Sequence, residues 1–299
     1  MPLSSHRLSA AVALLLVCGS VTACAQPKGG DVSTASKTII QDKGSDTLVN
    51  LALAWAEAYV ELHPDVSISV TGGGSGTGIT ALNNGTTDIA NVSREMKAEE
   101  IDAAKKAGFV PAQFTVAGDA IAVVVHPENP VERLTLQQLS DMYTGKVSNW
   151  AQVGGDDWPI VLLSRESNSG TYVYFLEEVV RMGQRSDLLF SPDTLLMPSS
   201  EGISAEVRQN RNAIGYDGLG YVTSDQKVIA VARDGSGPYV APSPATVLDG
   251  SYPVARELYM YTAGEPTGEI LAYLEWIQRE GQALVPSLGF VPAAPTSGS

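Results

Sequence analysis

Along residues 46–64, Leu48, Leu51, Ala52, Trp55 and Tyr59 recur at the three-and-four spacing of one helix face, and Pro64 closes the run. The period changes on either side. "KTII" at 37–40 and "VSISV" at 66–70 are short apolar runs that read as strands. A brief helix at 78–82, a strand at 88–93 and a helix at 97–108 complete a β-α-β-α-β order. That order predicts a parallel sheet with helices on its faces.

The second half repeats the alternation. Strands are expected at 120–125, where Pro127 and Pro130 follow, and at 159–164, 213–222, 227–232 and 254–262. Helices are expected at 135–145, 171–182, 200–212 and 268–281. From residue 38 onward the chain runs to roughly 260 residues, more than one core usually serves, so two α/β units are predicted.

The first 23 residues fall outside this pattern. His6 and Arg7 precede an apolar run from Ala10 to Val17, and small residues lead to Cys24, as in an export signal. "VTAC" resembles the lipobox of bacterial lipoproteins, which makes Cys24 the expected lipidation site; ordinary cleavage beside it is the alternative. Cys18 would leave with the signal, so no disulfide is expected. Residues 24–37 read as a tether and 291–299 as a frayed tail. The net charge is −14 with no basic cluster, which argues against nucleic acid as a partner.

Candidate chemistry lies in three loops of one construction: a strand ends, Ser, Thr and Gly cluster, and a helix begins. They are "KGSDTL" (43–48), "TGGGSGTG" (71–78) and "SRESNSGT" (164–171). Helix starts leave free backbone N–H groups and a positive dipole end, and hydroxyls add donors, so each loop suits an anion. For any one loop alone a plain helix cap is the better reading; three loops of one build, with a guanidinium in the third, shift the balance. Arg165 ends an apolar strand, and its planar fork fits a tetrahedral oxyanion. A salt bridge to Glu166 or Glu201 is the alternative.

These stretches carry a resemblance. "GSDTL", "GGGSGTGITAL", "DIANVSRE", "LTLQQLSDMYTGKVSNW", "SRESNSGTYVYF" and "NAIGYDGLGYV" occur in this order in the phosphate-binding proteins of bacterial phosphate ABC transporters, which the chain resembles over 38–262. The resemblance implies a two-lobed α/β fold of the periplasmic-binding-protein type (type II), with parallel-rich sheets joined by two crossover strands. Lobe I would take 38–119 plus 254–290 and lobe II 120–253. It also implies phosphate contacts from Thr47, Leu48, Ser75, Arg165, Ser169, Gly170 and Thr171.

Many members place an aspartate after the serine of the third strand, to accept the proton of hydrogen phosphate; here Arg94 stands there. The expectation is that Arg94 joins the ligand-binding set and holds Asp46, which serves as proton acceptor. Asp46 as a mere helix cap is the alternative.

Other function classes fit less well. "GTGITA" follows the loose dinucleotide pattern, but Ile79 occupies the place of the phosphate-loop lysine. Neither Ser75 nor Ser169 lies in G-x-S-x-G, and His63 and His126 each abut a proline, so neither a phosphatase-like enzyme nor any catalytic residue is expected. No metal-ligand spacing and no cofactor are read. The expected partners are inorganic phosphate, an ABC permease and, through the lipid alone, a membrane; the chain is expected to be a monomer. Sulfate, molybdate, or a surface signalling or adhesion role on the same fold are the competing readings.

Overall fold

The structure, a computed structural model, describes residues 37–294. In chain order its elements are β1 (Thr38–Gly44), α1 (Val49–Leu62), β2 (Val66–Thr71), α2 (Ser75–Asn83), β3 (Ile89–Val92), α3 (Ala98–Lys106), β4 (Ala112–Val125), β5 (Arg133–Thr135), α4 (Leu136–Tyr143), β6 (Val161–Arg165) and α5 (Gly170–Phe175). There follow β7 (Leu195–Met197), α6 (Ser200–Gln209), β8 (Ala213–Gly218), β9 (Lys227–Val228), β10 (Ala230–Ala232), α7 (Pro244–Leu248), β11 (Ala255–Thr262), α8 (Gly268–Gln278) and β12 (Val291–Pro292).

The strands run in the order β2-β1-β3-β11-β4-β8-β6-β7. As the opening pattern predicts, β1 pairs in parallel with both β2 and β3. β11 is antiparallel to β3 and β4 and lies between them, although it comes late in the chain. β4 serves both ends of the assembly: Ala112–Ala120 pair with β11, and Ile121–Val125 pair with β8. The apolar run at 120–125 marks only its second half; in the first half apolar Ala112, Phe114 and Val116 alternate with Gln113 and Thr115.

Two main cores result. One gathers Ile40, Leu51, Trp55, Val116, Met260 and Tyr273; the other gathers Val123, Leu139, Tyr143, Trp150, Phe175 and Tyr216. Side chains of β4 alternate between layers, Val123 and Val125 entering the second core while Ala122 and Val124 face α6 and β6 partners such as Ile203 and Leu163. The helix face read from 48–59 is the buried one: Leu48, Leu51, Ala52 and Trp55 are fully covered. The indole N–H of Trp55 donates to Gly281 O at 2.8 Å, which ties α1 to the segment after α8.

Several expectations need correction. The helix expected over 171–182 is regular only to Phe175; beyond it the backbone widens, and Arg181 N donates to Leu176 O, five residues back. The run 227–232 splits, because β9 pairs with β4 while β10 pairs with β5. The tail read as frayed from 291 starts with β12, whose Val291 and Pro292 pair with β4 and where Val291 is buried. Cys24 and the signal-like segment lie outside the described residues. Among the described residues no helix is long and apolar enough to cross a membrane.

Candidate functional site

Each of the three loops follows a parallel strand: β1, β2 and β6. In parallel sheets such ends face one side, so helix starts from different elements converge. Thr47, Ser75 and Thr171 are fully buried, Leu48 with them, and Arg165 is 1% exposed. Burial of that many donors is costly unless they find partners, and the partners cross from one loop to another. Thr47 Oγ1 and Thr171 Oγ1 are 2.9 Å apart. Gly170 lies so close to Ser75 that a Cβ built on it would stand 2.4 Å from Ser75 Oγ and 2.5 Å from Ser93 Oγ.

Ser169 caps α5, its Oγ accepting from Thr171 N at 3.2 Å. Its hydroxyl hydrogen is still available as a donor. Ser75 Oγ accepts from Ser93 N at 3.0 Å and lies 3.2 Å from Ser93 Oγ.

Arg165 does not bond Glu166 or Glu201. Its Nη2 donates to Asp46 Oδ2 at 2.5 Å and to Pro198 O at 3.0 Å, and its Nη1 donates to Ser200 Oγ at 3.0 Å. Nε is buried and has no hydrogen-bond partner among the described residues. Asp46 is fixed on its other oxygen by Gly73 N at 2.9 Å, and its backbone carbonyl accepts from the Tyr221 hydroxyl.

The glycines of the loop at 71–78 give a neighbouring loop access to its backbone. Gly74 has φ 91°, and a Cβ there would stand 2.8 Å from Asn168 O. Gly76 N donates to that same oxygen at 2.9 Å, and Asn168 Nδ2 donates to Gly73 O at 2.9 Å. The loop at 164–171 therefore docks backbone-first on the loop at 71–78.

Residues 31–280 match the PBP superfamily domain. The phosphate-binding protein PstS of Pseudomonas aeruginosa is 36% identical over 267 residues, spanning 83% of this chain and 81% of that one. The chain belongs to the PstS family. The PstS of Bacillus subtilis is 32% identical over 267 residues, spanning 89% and 83%. Among solved structures, a phosphate ABC transporter substrate-binding protein from Clostridium perfringens, with bound phosphate, is 34% identical with a TM-score of 0.77. That match covers 86% of this chain and 100% of the other. The two-lobed α/β binding-protein fold that the resemblance implies is the fold of this chain.

Within this PstS-family chain the expected pairing of Arg94 with Asp46 does not occur. Arg94 grips Glu100 with both arms, Nη1 to Oε2 at 2.7 Å and Nη2 to Oε1 at 2.6 Å. Glu100 sits in the first turn of α3 and also accepts Lys97 N at 2.8 Å, so it is held facing Arg94. Burial raises the Glu100 pKa, but the Arg94 and Lys97 bonds outweigh it and the net shift is downward. Asp46 is instead taken by Arg165. Among the described residues no hydrogen bond joins Arg94 to the three loops.

Behind the threonines stands a pair that loop-reading misses. Arg256 on β11 faces Asp119 on β4 across the antiparallel register, Nη2 to Oδ2 at 2.9 Å, and both are buried. Burial pushes the Asp119 pKa up, against the pull of Arg256. Asp217, which accepts from Ser200 Oγ at 2.8 Å, is pushed up to about 7 by burial, opposed by Arg165 and by that bond. The signal that the sequence offers for Arg256 is a charge inside the otherwise largely apolar run "VARELYMYT", where Glu257 stands beside it.

Among the described residues no cluster of His, Cys, Asp and Glu could hold a metal ion. His63 stacks on Tyr59 at 4.2 Å, and His126 Nδ1 accepts Glu128 N at 3.1 Å.

Proposed function

We propose that this chain is an extracytoplasmic solute-binding protein that captures inorganic phosphate between its lobes and passes it to an ABC permease. The observation that carries the reading is that Thr47, Ser75, Thr171 and Arg165 are all buried on loops that bond one another, with the Arg165 Nε–H unpaired among the described residues. The PstS relatives and the phosphate-bound neighbour support the same anion. Charge-assisted hydrogen bonds worth about 1.5–3 kcal/mol each would accumulate to tight binding after the cost of ordering.

In this reading Thr47, the Leu48 backbone, Ser75, Arg165, Ser169, Gly170 and Thr171 contact the anion. Asp46, oriented by Arg165 and Gly73 N, accepts its proton. A carboxylate holds about four lone-pair sites, so two remain after those bonds. Arg94 acts as a clamp on α3 and contributes no contact. The lobes divide at 119/120 and 253/254, where β4 and the entry to β11 cross, and bonds made to both lobes at once favour the closed form. Cys24 carries a lipid that tethers the chain to the outer face of a membrane; the chain acts as a monomer and performs no catalysis.

Calorimetric titration with phosphate, sulfate and molybdate tests the reading. Phosphate is expected to bind at least about a hundredfold more tightly than sulfate. Equal affinity for the two, or no phosphate uptake, ends it.

A further inference from the structure

Arg256 lies outside the three loops, yet its bonds reach threonines from two of them. Its Nε and Nη2 donate to Asp119 Oδ2 at 3.3 and 2.9 Å, and Nη1 donates to Ser93 O at 3.0 Å. Nη2 also lies 3.2 Å from Thr47 Oγ1 and 3.0 Å from Thr171 Oγ1. An Nη carries two hydrogens. One goes to Asp119, and the other is shared between the two hydroxyl oxygens. The ring of Tyr174 covers the guanidinium at 5.6 Å, so water does not compete freely for these bonds.

This arrangement fixes what the two threonines can offer. Two hydroxyls have two hydrogens and four lone pairs. Their mutual bond uses one hydrogen and one lone pair, and the shared Arg256 hydrogen uses one lone pair on each oxygen. One hydrogen and one lone pair remain. Without Arg256, one hydrogen and three lone pairs would remain.

We infer that Arg256, clamped by Asp119, is a specificity-determining positioning residue that consumes the acceptor capacity of Thr47 and Thr171. The pair then meets the bound anion chiefly as a donor. This inference rests on the phosphate reading and deepens it. Hydrogen phosphate brings one proton, which Asp46 accepts. Dihydrogen phosphate brings a second proton that finds few acceptors, and an unpaired buried donor is penalised. Arg256 thereby selects the doubly charged form.

The test is calorimetric titration of the full-length protein with inorganic phosphate from about pH 6 to about pH 8, on either side of phosphate's second ionisation. Beside the wild type stand Asp119→Asn/Arg256→Met, which removes both buried charges together, and Arg256→Lys. The Lys variant keeps a cation for Asp119, but a single ammonium cannot span the same acceptors.

The wild type is expected to bind more weakly as pH falls. The double variant should lose about tenfold in affinity at about pH 8 and much of that pH dependence. Should the double variant fail to melt cooperatively, Arg256→Lys is expected to show the same flattening. Profiles that run parallel to the wild type, whether lower or unchanged, overturn the inference, since a merely structural role lowers affinity at every pH alike. Wild-type protein that takes up no phosphate at any pH overturns the phosphate reading itself.

Discussion

Arg165 donates to Asp46 at 2.5 Å although 119 residues of chain separate them. The bond ties the end of β6 to the loop after β1, and Gly73 N holds the other oxygen of the same carboxylate. Asp46→Asn keeps the size of the side chain and an acceptor for Gly73 N, but it offers Arg165 a donor or a weakened acceptor. Phosphate binding should weaken by about 2 kcal/mol, roughly thirtyfold. Sulfate, which has no proton to place, should lose less or gain. Titration of the variant with both anions decides it, and an unchanged ratio would remove Asp46 from the role of acceptor.

Gly170→Ala separates binding from folding. Alanine suits the first turn of a helix better than glycine does, so α5 itself is not harmed. The added Cβ, however, would stand 2.4 Å from Ser75 Oγ and must push the two loops apart. Overpacking of this kind costs about 1–3 kcal/mol. We expect phosphate affinity to fall by about tenfold or more while the melting temperature moves by only a few degrees. A variant that binds as tightly as the wild type would show that these loops do not meet in the ligand-bound protein.

Asp42 should make the fold less stable as pH rises. It is buried on β1, and neither of its oxygens has a well-formed hydrogen bond among the described residues. Burial lifts its pKa from 3.8 to about 7, with Asn91 offsetting part of the rise. Between those values the folded chain holds a proton that the unfolded chain has released. The stability it contributes is whole below about pH 4 and is lost as pH climbs through about 7. Asp42→Asn should therefore stabilise the protein by a few kcal/mol at about pH 8 and have little effect near pH 4. Chemical denaturation at the two pH values measures this; an equal effect at both would contradict it.

Arg94→Met tests whether the residue after Ser93 contacts the anion. If Arg94 serves only to grip Glu100, phosphate affinity stays within about threefold of wild type. Stability should fall by about 1–2 kcal/mol, because the pair is largely but not fully buried, at 9% and 19% side-chain exposure. A large loss of affinity with unchanged stability would return Arg94 to the site.

The parallel β1-β2-β3 unit and the buried face of α1 were legible because their periods, two and 3.6, are properties of single segments. The three loops were legible because one construction, a strand end, a Ser/Thr/Gly cluster and a helix start, recurs three times, whereas any one of them alone reads as a helix cap. Pairing between distant segments was not. The partner of Asp46 is Arg165 rather than the expected Arg94, because Glu100 in the first turn of α3 takes Arg94. Arg256 and Asp119 were missed because each sits inside a strand. Their meaning appears only when β11 is laid against β4, and nothing local in "VARELYMYT" announces its neighbour.

The placement of β11 also sets an order of assembly as the chain is made. β8, β6 and the second half of β4 come from one continuous stretch and can join as soon as it emerges. In strand pairing, β1, β2 and β3 reach β4 by way of β11, so that link in the sheet waits for residues 255–262. The unit built from residues 38–92 thus gains its link to the rest of the sheet late.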